Sequence, residues 1–477
     1  MENLRKIIRQ LSNRDFTQIK SALVKNDSKK FLHLLVSYRK NNTTDEDIMK
    51  SINCNKGSLY VLKSRLLDKI QELLLENKEI QEVNFLDGNI SSLLQYTHEH
   101  PRETAIAMLH QLEKTHTVND TPQELINVYS ALKKIYFHSD KYYHYSQLYN
   151  KQIAYTVALE KSEDLLFNFN KTLANYFFSR NDDDKELIRH YIKEIRNIYS
   201  LNQSHRFELI KNFILIQSQL FANVEQSNEE HLEDLIEKCE ELTKEYPNDK
   251  QIKYYRLIID FFWFEYYYKI NQLKKAEQYL KVLNTHHRMW LLLNNYCLAF
   301  KFLFTKPELL NKLGKTEELK KESEEIYFDN YDFYTLVALK FRKAIIEIYN
   351  GNSKEAIDIL SDLTREISLL HFFHFEIEIK LTLAYLYVKQ NKYEKADELI
   401  ISLNRKINYG KKISYPNALL FIKVLNLLIS KGKNTLTKNK IQDVIQQFNF
   451  YNVAEKKILG FLQPEIDLLV IDNEISV

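Results

Sequence analysis

From Leu383 to Leu403 the chain reads LAYLYVKQNKYEKADELIISL, with Ala384, Tyr387, Tyr393, Ala396, Ile400 and Leu403 at steps of 3, 6, 3, 4 and 3. Steps of three and four keep side chains on one helix face, and the step of six spans a break. The pattern predicts a helix that ends in a small residue and an aromatic. A polar turn at Gln390–Lys392 follows, and then a second helix that sets a small residue against the first.

The same pattern returns along the chain. Ala356 stands behind Ala344 and Gly351, Leu319 behind Gly314, and Ala276 behind Tyr267 and Leu273. Leu235 precedes Cys239 and Leu242, and Ile188 follows Ala174 and Phe177. Tyr145 follows Tyr136 and Tyr142, and Ala105 follows Tyr96. The anchors 105, 145, 188, 235, 276, 319, 356 and 396 are separated by 40, 43, 47, 41, 43, 37 and 40 residues. This alternation of small, aromatic and small residues resembles the tetratricopeptide (TPR) hairpin, with a longer period than the usual ~34.

The resemblance implies an all-α protein in which residues 88–403 form about eight TPR-like hairpins of period ~40. One hairpin cannot bury its apolar face alone, so the units would stack into a right-handed superhelical solenoid with a concave, partner-binding face. Tyr96, Ala105, Tyr136, Tyr145, Tyr267, Ala276, Ala344, Ala356, Ala384, Tyr387, Tyr393 and Ala396 are then packing residues within the repeats.

Residues 1–80 form a separate small helical domain in this reading. Short amphipathic helices are predicted over 2–11 and 14–25, and Phe31, Leu32, Leu34, Leu35 and Tyr38 mark a third. Thr44 or Asp45 caps a fourth helix, whose acidic first turn suits its positive end. After a turn at Asn53–Gly57, Ser58 opens a longer helix with Leu59, Leu62, Leu66, Ile70 and Leu73 on one face. Ile48, Ile52, Cys54, Leu59 and Leu62 fall at the buried steps of a helix-turn-helix, which this stretch resembles. Its KSRL run, Lys63–Leu66, is similar to the recognition helix of sigma factors. The usual turn glycine is Asn53 here. The resemblance implies that Lys56, Ser58, Tyr60, Lys63 and Arg65 face a duplex. The alternative is a helical cap on the array, with those side chains solvated.

The remaining segments are a basic set of closing helices over 404–463 and an acidic tail over 464–477. Helices are predicted at 417–431, 434–448 and 452–463, the last stopped by Pro464. Residues 399–442 carry nine Lys/Arg and no Asp/Glu, against a whole-chain net charge of +3. Arg405, Lys406, Lys411, Lys412, Lys431, Lys433, Lys438 and Lys440 form this basic patch, which suits a nucleic acid or an acidic protein. The aromatic runs Phe261–Tyr268 and Tyr142–Tyr145 cover every helix face. Most fill the core, and tyrosines left on the concave side would suit a peptide groove.

Composition narrows the classes. Seven Gly and six Pro in 477 residues argue against phosphate-cradling loops and sheet turns. Three scattered cysteines, Cys54, Cys239 and Cys297, match no zinc spacing and suit a reducing compartment. No signal peptide and no apolar run of ~18 residues is seen, so the expectation is cytoplasmic, with no membrane partner.

No catalytic constellation is present in the sequence. His98 and His100 are two apart, on different helix faces. His371, His374 and Glu378 are at helical spacing but sit among phenylalanines, which favours core over metal. Asp182, Asp183, Asp184 and Glu186 lack the alternate spacing and glycine of a calcium loop, and fit a helix N-terminus. The chain is therefore expected to be non-enzymatic, without cofactor or metal, and to act as a scaffold for a protein or peptide. The alternative is a DNA-binding transcriptional regulator whose repeats sense or dimerise. The partner and the oligomeric state are not legible.

Overall fold

The computed structural model describes residues 2–11, 13–25, 28–40, 43–76, 102–224, 231–247, 249–285, 296–324, 333–366, 372–409, 415–430, 435–452 and 457–471. Every regular element among the described residues is helical. No described helix is long and apolar enough to cross a membrane. The chain divides into two compact units, Met1–Glu160 and Lys161–Val477.

The first unit opens with α1 (Glu2–Gln10), α2 (Asn13–Lys25), α3 (Lys29–Arg39), α4 (Asp45–Ile52) and α5 (Lys56–Glu76). Leu4, Ile8, Ile19, Leu34, Leu35, Ile48, Leu66 and Ile70 make their shared core. Arg39 ties α3 to the end of α1 by donating to the carbonyls of Ile8 and Leu11, both at 2.8 Å. Helix α4 begins with a capping box, in which Thr44 Oγ1 accepts from Asp47 N and Asp47 Oδ2 accepts from Thr44 N. Asn53 ends it in the left-handed region at φ 52°, filling the role of the turn glycine. Helices α6 (Arg102–Val118) and α7 (Pro122–Ile135) then pack through Leu109, Leu112, Leu125, Val128 and Leu132. The predicted packing pair Tyr136 and Tyr145 is stacked at 5.4 Å.

Helix α8 runs unbroken from Lys141 to Ser179, 39 residues. The hairpin reading expects a break between Tyr145 and Ala174, and both lie on this one helix. Nothing in 141–179 stops it, because the stretch contains no Gly and no Pro. The division between the units falls inside it.

The second unit continues with α9 (Asp182–Leu201), α10 (His205–Phe221), α11 (Leu232–Glu245), α12 (Lys250–Lys269), α13 (Leu273–Thr285), α14 (Tyr296–Lys312), α15 (Thr316–Glu324), α16 (Phe333–Tyr349), α17 (Ser353–Glu366), α18 (Phe373–Lys389) and α19 (Tyr393–Tyr409). The pairs α12–α13, α14–α15, α16–α17 and α18–α19 are four hairpins of one backbone geometry. In each, the anchor read from the sequence is the fourth residue of the second helix: Ala276, Leu319, Ala356, Ala396. Five residues earlier stands Asn271, Gly314, Gly351 or Asn391, each at positive φ between 59° and 81°. Only Gly, and more rarely Asn, takes that conformation cheaply. The residue after it donates back to a carbonyl five positions earlier: Gln272 to Tyr267, Lys315 to Leu310, Asn352 to Glu347, Lys392 to Tyr387, at 2.8–2.9 Å. This bond satisfies carbonyls that the first helix leaves open at its end.

Small residues make the close approach. Ala105, Ala276, Ala344, Ala356, Ala384 and Ala396 are all 0 % exposed, Tyr387 is buried, and Tyr267 and Tyr393 are half-buried. Tyr96 lies outside the described residues. Replacing Ala396 with Leu inserts three carbons into the α18–α19 contact and should cost ~1–3 kcal/mol by overpacking. Thermal melting checks this, and an unchanged melting temperature would mean that the contact has room to spare.

The chain closes with α20 (Pro416–Ile429), α21 (Thr435–Tyr451), a 3-10 turn Gly460–Leu462, and α22 (Gln463–Ile471). Pro464 does not stop a helix, contrary to the expectation from the sequence. It stands in the first turn of α22, where its missing N–H costs nothing. The segment read as a tail is thus partly helical and docked: Ile466 is fully buried, and Glu465 accepts from Tyr385 Oη and Lys389 Nζ, both at 2.9 Å.

Candidate functional site

A half-open cavity of about 410 Å³ lies within the second unit. Its walls come from the first helices of the four hairpins: Tyr268 and Lys269 on α12, Lys301, Phe304, Glu308 and Lys312 on α14, Phe341 and Ile345 on α16, and His374, Phe375 and Glu378 on α18. Arg180, just after α8, and Lys457, Gly460 and Phe461 complete it.

The lining is polar on an aromatic floor. Tyr268 Oη donates to Glu308, and Lys312 Nζ donates to Tyr268 Oη at 2.8 Å. Burial holds the Tyr268 phenol far above its ordinary range, and the Glu308 carboxylate adds to this. Lys301 Nζ is 3.9 Å from a carboxylate oxygen of Glu265, which is 3 % exposed. Burial pushes Glu265 up to about 7 against the pull of Lys301. Glu378 is likewise pushed up to about 7 by burial, while its Oε1 accepts from Leu459 N at 3.0 Å.

Five cations line the cavity, Arg180, Lys269, Lys301, Lys312 and Lys457, against the carboxylates of Glu308 and Glu378. They repel one another. Burial lowers Lys269, and Lys301 lowers it further. Burial also lowers Lys312, outweighing Glu308, with Lys457 and Lys301 pushing the same way. Arg180 lies over the rings of Tyr176 and Phe177, at 5.2 and 5.5 Å, and its Nε is buried with no hydrogen-bond partner among the described residues.

These side chains recur in register. Seven residues before the anchor come Lys269, Lys312, Tyr349 and Lys389; eleven before it, Glu265, Glu308, Ile345 and Tyr385; eighteen before it, Ile258, Lys301, Ala338 and Glu378. Separations of four and seven keep all three positions on one helix face. On the last two hairpins this face holds the chain's own segment after α21. Tyr349 Oη donates to the Phe461 carbonyl at 3.2 Å, the Phe461 ring meets Phe341 edge-on at 5.7 Å, and Tyr385 and Lys389 take Glu465. Sequence reasoning missed this face. Aligning the first helices on the anchors would have found it, since lysine holds the seventh position in three of four copies.

The sites expected from the sequence fare unevenly. Lys56, Ser58, Tyr60 and Arg65 are exposed on α5. Lys63 is not: its ammonium is paired with Asp45, near the Tyr38 ring, and its side chain is 11 % exposed. It serves the core of the first unit instead of facing outward. In the basic patch Arg405 and Lys440 are exposed, while Lys406 pairs with the buried Glu376, which also holds Lys380 at 2.7 Å. Lys411, Lys412, Lys431 and Lys433 lie outside the described residues, as does the side chain of Lys438. His98, His100 and His371 also lie outside them. Asn181 caps α9 by accepting from Asp183 N at 3.1 Å, and Asp184 accepts from Ser179 Oγ at 2.9 Å, so the acidic turn is built into a helix start. Cys239 is buried, and burial raises its thiol to about 12, out of reach of ordinary thiolate chemistry.

No family model, curated protein or solved structure matches this chain.

Proposed function

We propose that the chain is a non-enzymatic, TPR-like scaffold that holds a protein or peptide partner on the concave face of a right-handed solenoid of helical hairpins. One observation carries this reading. The cavity is walled by successive first helices, and on the last two of them the same register positions hold a turn-and-helix segment of the chain itself. A face that seats one such segment offers the same chemistry to a partner's. The DNA-binding alternative has less behind it, because Lys63 is spent on Asp45.

Tryptophan at two lining lysines fills the cavity and removes two of its positive charges, which tests the scaffold reading. Affinity capture with the wild-type chain and with the double variant Lys301→Trp, Lys312→Trp should differ by a partner that the variant loses. Identical sets retained by both, with the variant folded by circular dichroism, would sink the reading.

A further inference from the structure

We propose that the cavity receives a carboxylate side chain of an acidic peptide segment, lodged among Lys269, Lys301 and Lys312, with an apolar neighbour resting on Phe304. The proposal rests on the scaffold reading above and names the chemistry of its ligand.

The chain supplies its own precedent. Lys389 occupies the same register position as Lys269 and Lys312, and its ammonium holds the carboxylate of Glu465 at 2.9 Å. Four residues before Glu465, Phe461 lies edge-on against Phe341, so the internal segment pairs an aromatic contact with an acidic one. The cavity offers an aromatic contact one hairpin earlier, at Phe304, and ammonium groups two and three hairpins before Lys389, at Lys312 and Lys269. Its phenylalanines form a wall, with Phe304 and Phe341 at 6.0 Å, and its ammonium groups stand beyond them. Lys312 is partly desolvated and crowded by like charge, and Lys269, whose Nζ already donates to the Gln219 carbonyl at 2.9 Å, is crowded by Lys301, so an incoming carboxylate relieves a cost already present. The acids nearby are engaged: Glu308 accepts from Tyr268, and Glu265 lies beside Lys301. A volume of about 410 Å³ falls within the range of ligand pockets, roughly 300–1,000 Å³. Lysines suit this task because each ammonium is a point charge on a flexible stem, able to follow a side chain that is not held bidentate.

The test uses the full chain and a fluorescein-labelled, N-acetylated, C-amidated peptide Phe-Asp-Glu-Phe-Glu, followed by fluorescence anisotropy. The acidic peptide should bind, more weakly as salt rises. Its counterpart with Asn and Gln replacing the acids should bind about tenfold more weakly or worse, as expected for losing a charge-assisted contact. Lys301→Gln with Lys312→Gln should give a similar loss, while Arg405→Gln, outside the cavity, should give none. The peptide-side comparison needs no protein variant, so it stands even if the double variant folds poorly. Equal binding of the acidic and neutral peptides overturns the carboxylate assignment and leaves the scaffold reading intact. So does failure of both peptides while the tryptophan variant still loses a captured partner. A free C-terminus that tightens binding more than the side-chain acids do would move the source to a terminal carboxylate and overturn the side-chain assignment. Succinate that displaces the peptide at equal concentration would assign the site to small acids and overturn the peptide assignment. Loss on Arg405→Gln equal to that of the double variant would reduce the binding to unspecific charge.

Discussion

Phe375→Ala should lower the unfolding free energy of the second unit by ~3–5 kcal/mol. The ring is 2 % exposed and sits at the middle of an aromatic cluster. Phe341 lies at 4.8 Å, Phe178 at 5.2 Å and Phe304 at 6.1 Å, all close to edge-on. Truncation removes the transfer free energy of the ring, the edge-to-face contacts, and the support of two cavity walls. The three neighbours come from α16, α14 and the end of α8, so no single shift closes the gap. Urea unfolding followed by near-ultraviolet circular dichroism reads the change. A loss below about 1 kcal/mol would show that the cluster collapses onto the vacancy.

Glu265→Gln should stabilise the protein at alkaline pH and leave it almost unchanged below about pH 4. Burial raises this carboxyl from 4.5 to about 7. Between those values the folded state holds a proton that the unfolded state has released. The protonated group's contribution is therefore fully present below the unfolded value and is lost as pH rises through about 7. Lys301, Lys269 and Thr305 face the group and favour its charged form in part, while Glu308 opposes it. Glutamine keeps the shape, cannot ionise, and gives up the attraction of Lys301. The net gain at pH 8.5 should be ~1–3 kcal/mol. Denaturation midpoints of both proteins at about pH 4, 7 and 8.5 test the sign, and parallel curves would rule out Glu265 as a titrating group in this range.

The four hairpins could be located from the sequence because their signals are local. An alanine or leucine at a helix's fourth position, preceded by Asn or Gly at the one turn residue with positive φ, needs no tertiary information. The cap of α4, read as Thr44 or Asp45, was legible for the same reason, and the structure assigns it to Thr44. What failed was anything decided at a distance. Lys63 and Lys406 read as solvated cations, since their partners Asp45 and Glu376 lie 18 and 30 residues away. Within the acid-free run from 399 to 442, the acid that answers Lys406 comes from another helix, at Glu376. Pro464 was read as a stop because a proline at a helix's first turn and one past its end look alike without the chain's direction. The cavity stayed hidden because attention to packing residues passes over the opposite face of each first helix.

The docked segment near the end of the chain also sets an order of assembly. Each hairpin closes through contacts between neighbours in sequence, whereas Tyr349 waits for Phe461 across 112 residues. On the ribosome, where synthesis proceeds at roughly 5–20 residues per second, the hairpins α16–α17 and α18–α19 are complete several seconds before Phe461 and Glu465 emerge. During that interval the face that later holds them is open to any acidic, aromatic segment nearby. An added C-terminal segment of that kind would compete with the chain's own residues for the seat, which makes the opposite terminus the safer place for an affinity tag.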